Sequence, residues 1–214
     1  MLILVLFLCL ATSAYVALRR RDSLSVYLLG MSVCNLIMLA GIVVYIAKIG
    51  GTAAQQRTFL FLIPDLQTWL LGAPIPMDQL GYLVAVGRSL FPLFALLAAL
   101  EATMITRLRR RLRTLRIAAC VVPVLSLIFY YPAVFRGVMG GRLWLLPAMI
   151  WLNLAWILLY LAAAALLFFQ EYHATTMPVF KRNTRYVLLS FASISALYLL
   201  YASKYPAQIY NMFV

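Results

Sequence analysis

The chain alternates long apolar stretches with short links that carry most of its charge. A helix needs about 20 apolar residues to cross the hydrocarbon core of a bilayer. The pattern therefore predicts an all-α fold, a polytopic membrane helix bundle with six complete transmembrane helices. The predicted spans are about 1–18, 23–47, 80–105, 117–135, 143–169 and 186–202. Residues 205–214 are apolar but too few to cross, and we interpret them as the start of a truncated seventh helix.

The long connection over residues 49–79 does not fit a seventh complete span. It begins polar and becomes apolar, but Pro64, Pro74 and Pro76 interrupt it. Prolines at this density are incompatible with a straight transmembrane helix. We interpret the segment as an outer interfacial loop, which either covers a pocket or lies on lipid.

Basic residues are distributed unequally between alternate links. The links after the first, third and fifth spans hold 12 of the 18 Lys and Arg residues, and the segments after the other spans hold 5. Cytoplasmic loops of membrane proteins carry such an excess. The pattern therefore predicts that the amino terminus is outside and that the odd-numbered links are inside. A seventh helix would return the chain to the cytoplasm.

The composition agrees with a membrane location. The chain is 66% hydrophobic and 11% charged, with a mean hydropathy of +0.99 and a net charge of +13. Soluble domains are nearer half apolar and a quarter charged. The basic residues flank apolar spans, so the excess charge indicates an anionic inner leaflet as partner, and no nucleic acid. We expect a multi-pass protein of the cell membrane, in the bacterial case the inner membrane.

Arg88 is the basic residue that topology does not explain, because it lies inside the third span. Pro92 follows four residues later and cannot donate to the Arg88 carbonyl, so we expect a kink there. Ala95 and Ala99 share the direction of Arg88, which should therefore face the bundle. Either Arg88 binds an anion or gates an outward-facing cavity, or it snorkels outward or pairs with a carboxylate such as Asp78.

Glu101 is the second ionisable residue of the third span. It lies about 20 Å along the helix axis from Arg88, so the two cannot pair directly. An arginine of the 107–116 cluster is its expected partner. The pair is either a simple interfacial ion pair or a switch, in which Glu101 and Pro92 couple the signal to the cytoplasmic link.

Aromatic residues gather near the predicted outer ends of the last two spans. Trp144 and Trp151 lie on one helical face and Trp156 lies deeper, while Tyr198 and Tyr201 form part of a tyrosine stripe. An aromatic belt at the membrane interface explains most of these positions. The alternative is the lining of an outward-facing apolar pocket. The candidate ligand-binding residues are Arg88, Trp156, Tyr198 and Tyr201.

Catalytic signatures are absent from the sequence. No HExxH, GxSxG, P-loop or GxGxxG pattern occurs, and His173 is the single histidine. The sequence therefore predicts neither a metal site nor a cofactor, and it leaves enzymatic activity open. Asn35 and Asn153, both inside spans, are candidates for interhelical hydrogen bonds.

Two runs of sequence carry a family resemblance. RSLFPLFALLAALEATMITRLRRR, together with the later YPAQIYNMF, resembles the seven-transmembrane amino-terminal sensor region of bacterial sensor histidine kinases. The resemblance covers most of the chain. It implies a receptor input domain of a two-component system that binds an extracellular or membrane-borne ligand. It assigns no ligand residue, and the phosphorylated histidine and ATP-binding boxes of such kinases lie outside this chain.

A different function class competes with this interpretation. Arg88 beside a proline kink, with a lid-like loop outside, would suit a small-solute binding or transport subunit that takes anions. An even number of helices would favour transport, and an odd number would favour the receptor. In both cases the expected partners are the bilayer and the ligand, and a homodimer is a further candidate assembly.

Overall fold

The computed structural model describes the helical core of the chain and single positions around it. Its described residues are 10–11, 13–15, 17–19, 23–48, 69, 72–102, 111–140, 142, 144–176, 181–182, 185, 188–189, 191–196 and 198–199. All regular secondary structure within these residues is helical, which confirms the predicted all-α fold.

Five helices have defined bounds. They are α1 (Ser23–Lys48), α2 (Met77–Ala102), α3 (Leu112–Phe129), α4 (Pro132–Met139) and α5 (Leu145–Ala174). Four of them, α1 over Ser23–Gly41 and the whole of α2, α3 and α5, are long and apolar enough to cross a membrane. This length and composition support a membrane protein.

Several predicted segments lie wholly or partly outside the described residues. The described positions of the predicted spans 1–18 and 186–202 are helical, but neither span is described along its length. Residues 205–214 and most of the predicted loop over 49–79 are also outside. The last three residues of that loop belong to α2, which begins directly after Pro76.

The predicted fourth span is wrong as a single helix over 117–135. The structure ends α3 at Phe129 and begins α4 at Pro132. A proline disfavours the helical conformation in the residue before it, and Tyr131 is extended, with φ −61° and ψ 129°. Pro132 itself is well suited to the first turn of α4, because its missing N–H would be unpaired there. Tyr130 and Tyr131 are the two residues between the helices.

Helix α2 is the centre of the fold, because it packs against α1, α3 and α5. Its residues Ala85, Phe91 and Ala95 are fully buried. Helix α3, in contrast, presents large apolar side chains outward, including Ile117 and Leu125. Exposed apolar surface of this kind suits contact with lipid. The most buried helix is thus the one that carries Arg88.

Helices α1 and α2 approach each other closely at glycines. A Cβ atom on Gly87 would lie 2.9 Å from the backbone oxygen of Cys34, and one on Gly41 would overlap with Cγ2 of Val84. Small residues allow this separation between membrane helices. The contact at Gly87 is the stricter one, because a backbone atom cannot rotate away as a side chain can.

We expect Gly87→Ala to lower the free energy of unfolding by about 1–3 kcal/mol, the usual cost of overpacking a well-packed core. Gly137→Ala is the matched control, because it is also a helical glycine and a Cβ there meets nothing within 4 Å. Reversible unfolding in mixed micelles measures both variants. Equal stability losses would show that the close approach of α1 and α2 does not depend on Gly87.

Candidate functional site

Arg88 lies in the interior of the bundle with 2% of its surface exposed. Its Nη1 donates a hydrogen bond to the hydroxyl of Tyr130 at 3.2 Å. Its guanidinium carbon is also 5.7 Å from the centre of the Tyr130 ring, within the range of a cation–π contact. Arg88 therefore faces the bundle, as the alanine spacing along α2 predicts.

The Tyr130 hydroxyl is the meeting point of three parts of the fold. Besides the bond from Arg88 on α2, it accepts one from Nδ2 of Asn153 on α5. The same Asn153 amide donates to the Met149 carbonyl at 3.0 Å, and its Oδ1 accepts from Nε1 of Trp156 at 3.1 Å. Asn153 is thus an interhelical hydrogen-bonding residue, and its position in the network fixes the tyrosine between two helices.

Tyr198 contacts the opposite side of Arg88, at the backbone. Its hydroxyl donates to the Arg88 carbonyl at 2.7 Å. Pro92, four residues later, lacks the N–H that would make the usual helical bond to this carbonyl. The Tyr198 ring also stacks on Phe91, with centroids 4.3 Å apart and planes at 14°. Tyr198 therefore supplies a donor to the carbonyl whose usual helical donor position is taken by a proline.

The same arrangement occurs at the proline in the middle of α3. Pro123 of α3 cannot donate to the carbonyl of Ala119, four residues earlier. Tyr160 of α5 donates its hydroxyl to that carbonyl at 2.9 Å. Its ring packs edge-on against Trp156, with centroids 5.5 Å apart. Both prolines are thus matched by a tyrosine from elsewhere in the chain.

We call five residues the Arg88 cluster: Arg88, Tyr130, Asn153, Trp156 and Tyr198. Three of the four residues predicted for ligand binding are among them, and the fourth, Tyr201, lies outside the described residues. Tyr130 was missed. The sequence feature that could have indicated it is Pro132, two residues later. A proline there predicts that the preceding helix ends nearby, and α3 does end at Phe129, just before Tyr130.

Two tryptophans of α5 are exposed, and the aromatic belt stays a prediction for them. Trp144 and Trp151 of α5 are 75% and 70% exposed, as expected of side chains that face a membrane interface or lipid. Trp156 differs from both, since it is half-buried and bonded to Asn153. The polar end of Trp156 therefore belongs to the interior network.

The carboxylates of α2 form ion pairs at its two ends. Glu101 pairs with Arg116, a member of the predicted arginine cluster. Asp78 pairs with Arg136 at 2.5 Å, so the carboxylate considered as a partner of Arg88 has another one. Both pairs are partly exposed, and such pairs contribute little to stability.

An open groove lies between the first turns of α2 and α4. It has a volume of about 420 Å³ and is lined by Gln79, Tyr82, Leu83, Val86, Tyr131, Pro132, Ala133 and Arg136. We call it the α2–α4 groove. Arg88 is not among these lining residues, so the expectation that it lines an outward-facing cavity is not met here. Tyr131 connects the two places, because it lines the groove and directly follows Tyr130 of the cluster.

Within the part of the chain that the structure describes, no three His, Cys, Asp or Glu residues come together in a group that could hold a metal ion. Comparison with known proteins finds no matching family model, no matching curated protein and no matching solved structure.

Proposed function

We propose that this chain is the membrane-embedded input domain of a signal-transduction receptor, of the kind that controls a sensor histidine kinase. In this proposal an extracellular or membrane-borne ligand acts on the outer part of the bundle, and the Arg88 cluster transmits its effect. The observation that carries the proposal is the buried arginine itself. An ionisable side chain at membrane depth is costly, and it persists where function requires it.

The two ion pairs of α2 support the proposed topology. Asp78 and Glu101 are separated by 23 residues, which is about 35 Å along a helix and close to the thickness of a bilayer. With the basic link next to Arg116 inside, Asp78 and Arg136 lie at the outer surface. We propose six complete spans, an outside amino terminus and a seventh helix that begins within residues 205–214.

The breaks in the helices suggest how a signal would pass. Helix α2 contains Pro92 without a break in its helical structure, and α3 and α4 meet at Tyr130–Tyr131. Prolines inside helices and breaks between helices are the places where a bundle bends. A displaced Tyr130 would change its contacts with Arg88 and Asn153. Helix α2 would then carry the change to Glu101, beside the basic link. A ligand that favours one arrangement shifts the population toward it.

Burial of the guanidinium favours this role over anion transport. A solute-binding arginine must be reached by the solute, whereas Arg88 is 2% exposed and its Nη1 bonds to Tyr130. An arginine that couples helices needs no such access. Uptake of phosphate, sulfate or carboxylates into vesicles that contain only this protein would contradict the receptor and support the transport subunit.

The reading frame beyond Val214 provides the first test. A coiled coil followed by kinase sequence boxes would agree with the proposal, and a stop codon soon after Val214 would exclude it. In the full-length parent, reconstituted in vesicles, we expect Arg88→Ala to change the basal autophosphorylation rate about tenfold, within the usual range of coupling energies.

The same variant needs a control for insertion and folding. Arg142→Ala also removes an arginine, but at an exposed position, and we expect it to keep the wild-type rate. Size-exclusion chromatography should show wild-type behaviour for both variants. A wild-type rate for Arg88→Ala in a well-folded protein would remove Arg88 from the coupling path.

A further inference from the structure

We propose that the α2–α4 groove binds a single amphiphile from the outer leaflet, with an apolar body and an anionic headgroup, and that Arg136 receives the headgroup. This inference rests on the proposed function, because it makes the bound amphiphile the signal that the receptor detects. The assignment follows from the lining of the groove, from the charge at its mouth and from its connection to the Arg88 cluster.

The lining of the groove suits an apolar body. Leu83 and Val86 of α2 face Pro132 and Ala133 of α4 across it. Tyr82 and Tyr131 meet edge to face with ring centroids 5.6 Å apart, which joins the two walls. Ligand sites of about this volume are commonly lined by apolar and aromatic side chains with a few polar groups that fix orientation.

The charge at the mouth of the groove selects the headgroup. The Arg136 side chain is 53% exposed, and its Nη2 contacts Asp78 while its Nε donates to the Pro132 carbonyl at 3.4 Å. A guanidinium carries five N–H donors, which is more than these two contacts use, and its planar fork matches phosphate and carboxylate. Because the pair with Asp78 is exposed and therefore weak, an incoming anion can replace or share it.

The position of Tyr131 links occupancy of the groove to the interior. Tyr131 is 52% exposed and lies in the wall, whereas the preceding residue, Tyr130, is buried against Arg88 and Asn153. The two tyrosines form the break between α3 and α4, with Tyr131 in an extended conformation. An amphiphile that displaces Tyr131 therefore acts directly on the backbone of Tyr130.

Binding can be measured with the chain in phosphatidylcholine nanodiscs, with empty nanodiscs subtracted. The probes are radiolabelled tetradecyl phosphate, tetradecylphosphocholine and glycerol phosphate. They provide an anionic headgroup with a chain, a zwitterionic headgroup with the same chain, and an anionic headgroup without a chain. We expect tetradecyl phosphate to bind at least about tenfold more tightly than either of the others, a difference of about 1.4 kcal/mol.

Variants of the ion pair should move the affinity in opposite directions. Arg136→Gln should weaken tetradecyl phosphate binding about tenfold, because the cation is lost. Asp78→Asn should strengthen it about threefold, because the competing carboxylate is lost. Ala133→Trp should abolish binding by filling the groove, and Arg142→Gln, outside the groove, should leave it unchanged.

Three results would overturn the inference. Equal affinity for the two chain-bearing probes would indicate partition without headgroup recognition, and tight binding of glycerol phosphate would indicate a site for free anions. A similar loss for Arg136→Gln and Asp78→Asn would indicate that the ion pair only supports the fold. If the preferences hold but the probe leaves the kinase rate of the parent unchanged, the site stands and the proposed function fails. If the probe does not bind but Arg88→Ala changes the kinase rate of the parent, the groove is not the ligand site and the proposed function stands.

Discussion

Replacing Tyr130 with phenylalanine is expected to lower the free energy of unfolding by about 2 kcal/mol. The hydroxyl accepts hydrogen bonds from Arg88 and Asn153, and both donors are buried. A buried donor that loses its partner costs roughly 1–3 kcal/mol, although hydrogen bonds between membrane helices often contribute less. Reversible unfolding in mixed micelles, followed by circular dichroism, measures the loss.

Tyr131→Phe is the matched control for this variant. It makes the same chemical change one residue later, in a side chain that is half exposed and lines the groove. We expect its free energy of unfolding to stay within about 0.5 kcal/mol of wild type, as for most surface substitutions. If the two phenylalanine variants lose the same stability, the Tyr130 hydroxyl is not a structural centre of the Arg88 cluster.

The second large effect is expected at Tyr198, and it should depend on Pro92. Tyr198→Phe removes the hydroxyl that donates to the Arg88 carbonyl, and we expect a loss of about 1–2 kcal/mol in the wild-type background. In a Pro92→Ala background the alanine N–H can bond to that carbonyl within α2. The loss caused by Tyr198→Phe should then fall below about 0.5 kcal/mol.

The double-mutant cycle separates the hydrogen bond from the packing of the ring. Phenylalanine keeps the stacking on Phe91, so packing is nearly constant across the cycle. An interaction energy between positions 92 and 198 of at least about 0.5 kcal/mol would support the account. Strictly additive losses would mean that Tyr198 contributes only through its ring.

Much of the helical architecture was predictable, because a run of about 20 apolar residues in a chain this hydrophobic has few alternatives to a helix. The bounds of α1 and α2 differ from the prediction by only a few residues. The error at Pro132 has a local cause. Apolar character continues through Tyr130 and Tyr131 without a change, so hydropathy places them inside a span. The backbone restriction that proline imposes on Tyr131 is decisive instead.

The residues of the candidate site that could be predicted are those whose type alone is unusual inside a membrane span. Arg88 is conspicuous because a charge in a span is costly, and Pro92 because it lacks the N–H that a helix uses. The partners of Arg88 were not predictable, because they depend on which helices pack together. Pro132 indicates a helix end near Tyr130 and Tyr131, but it does not indicate which of the two tyrosines is buried. Only the burial of one and the exposure of the other assign their different roles.

The glycine contacts between α1 and α2 affect how these two helices can move relative to each other. Since the two backbones approach closely at Gly87, sliding of one helix along the other would bring larger side chains into that contact, and we expect the two helices to tilt together. Gly30 lies against Phe94 and Gly41 against Val84, so the helices are antiparallel and Ser23 of α1 is at the same end as Ala102 of α2. The basic runs 19–21 and 107–116 flank those two residues. A tilt of α2 would therefore displace the first residue of α1 and the last residue of α2 together, although they are about 80 positions apart in the sequence.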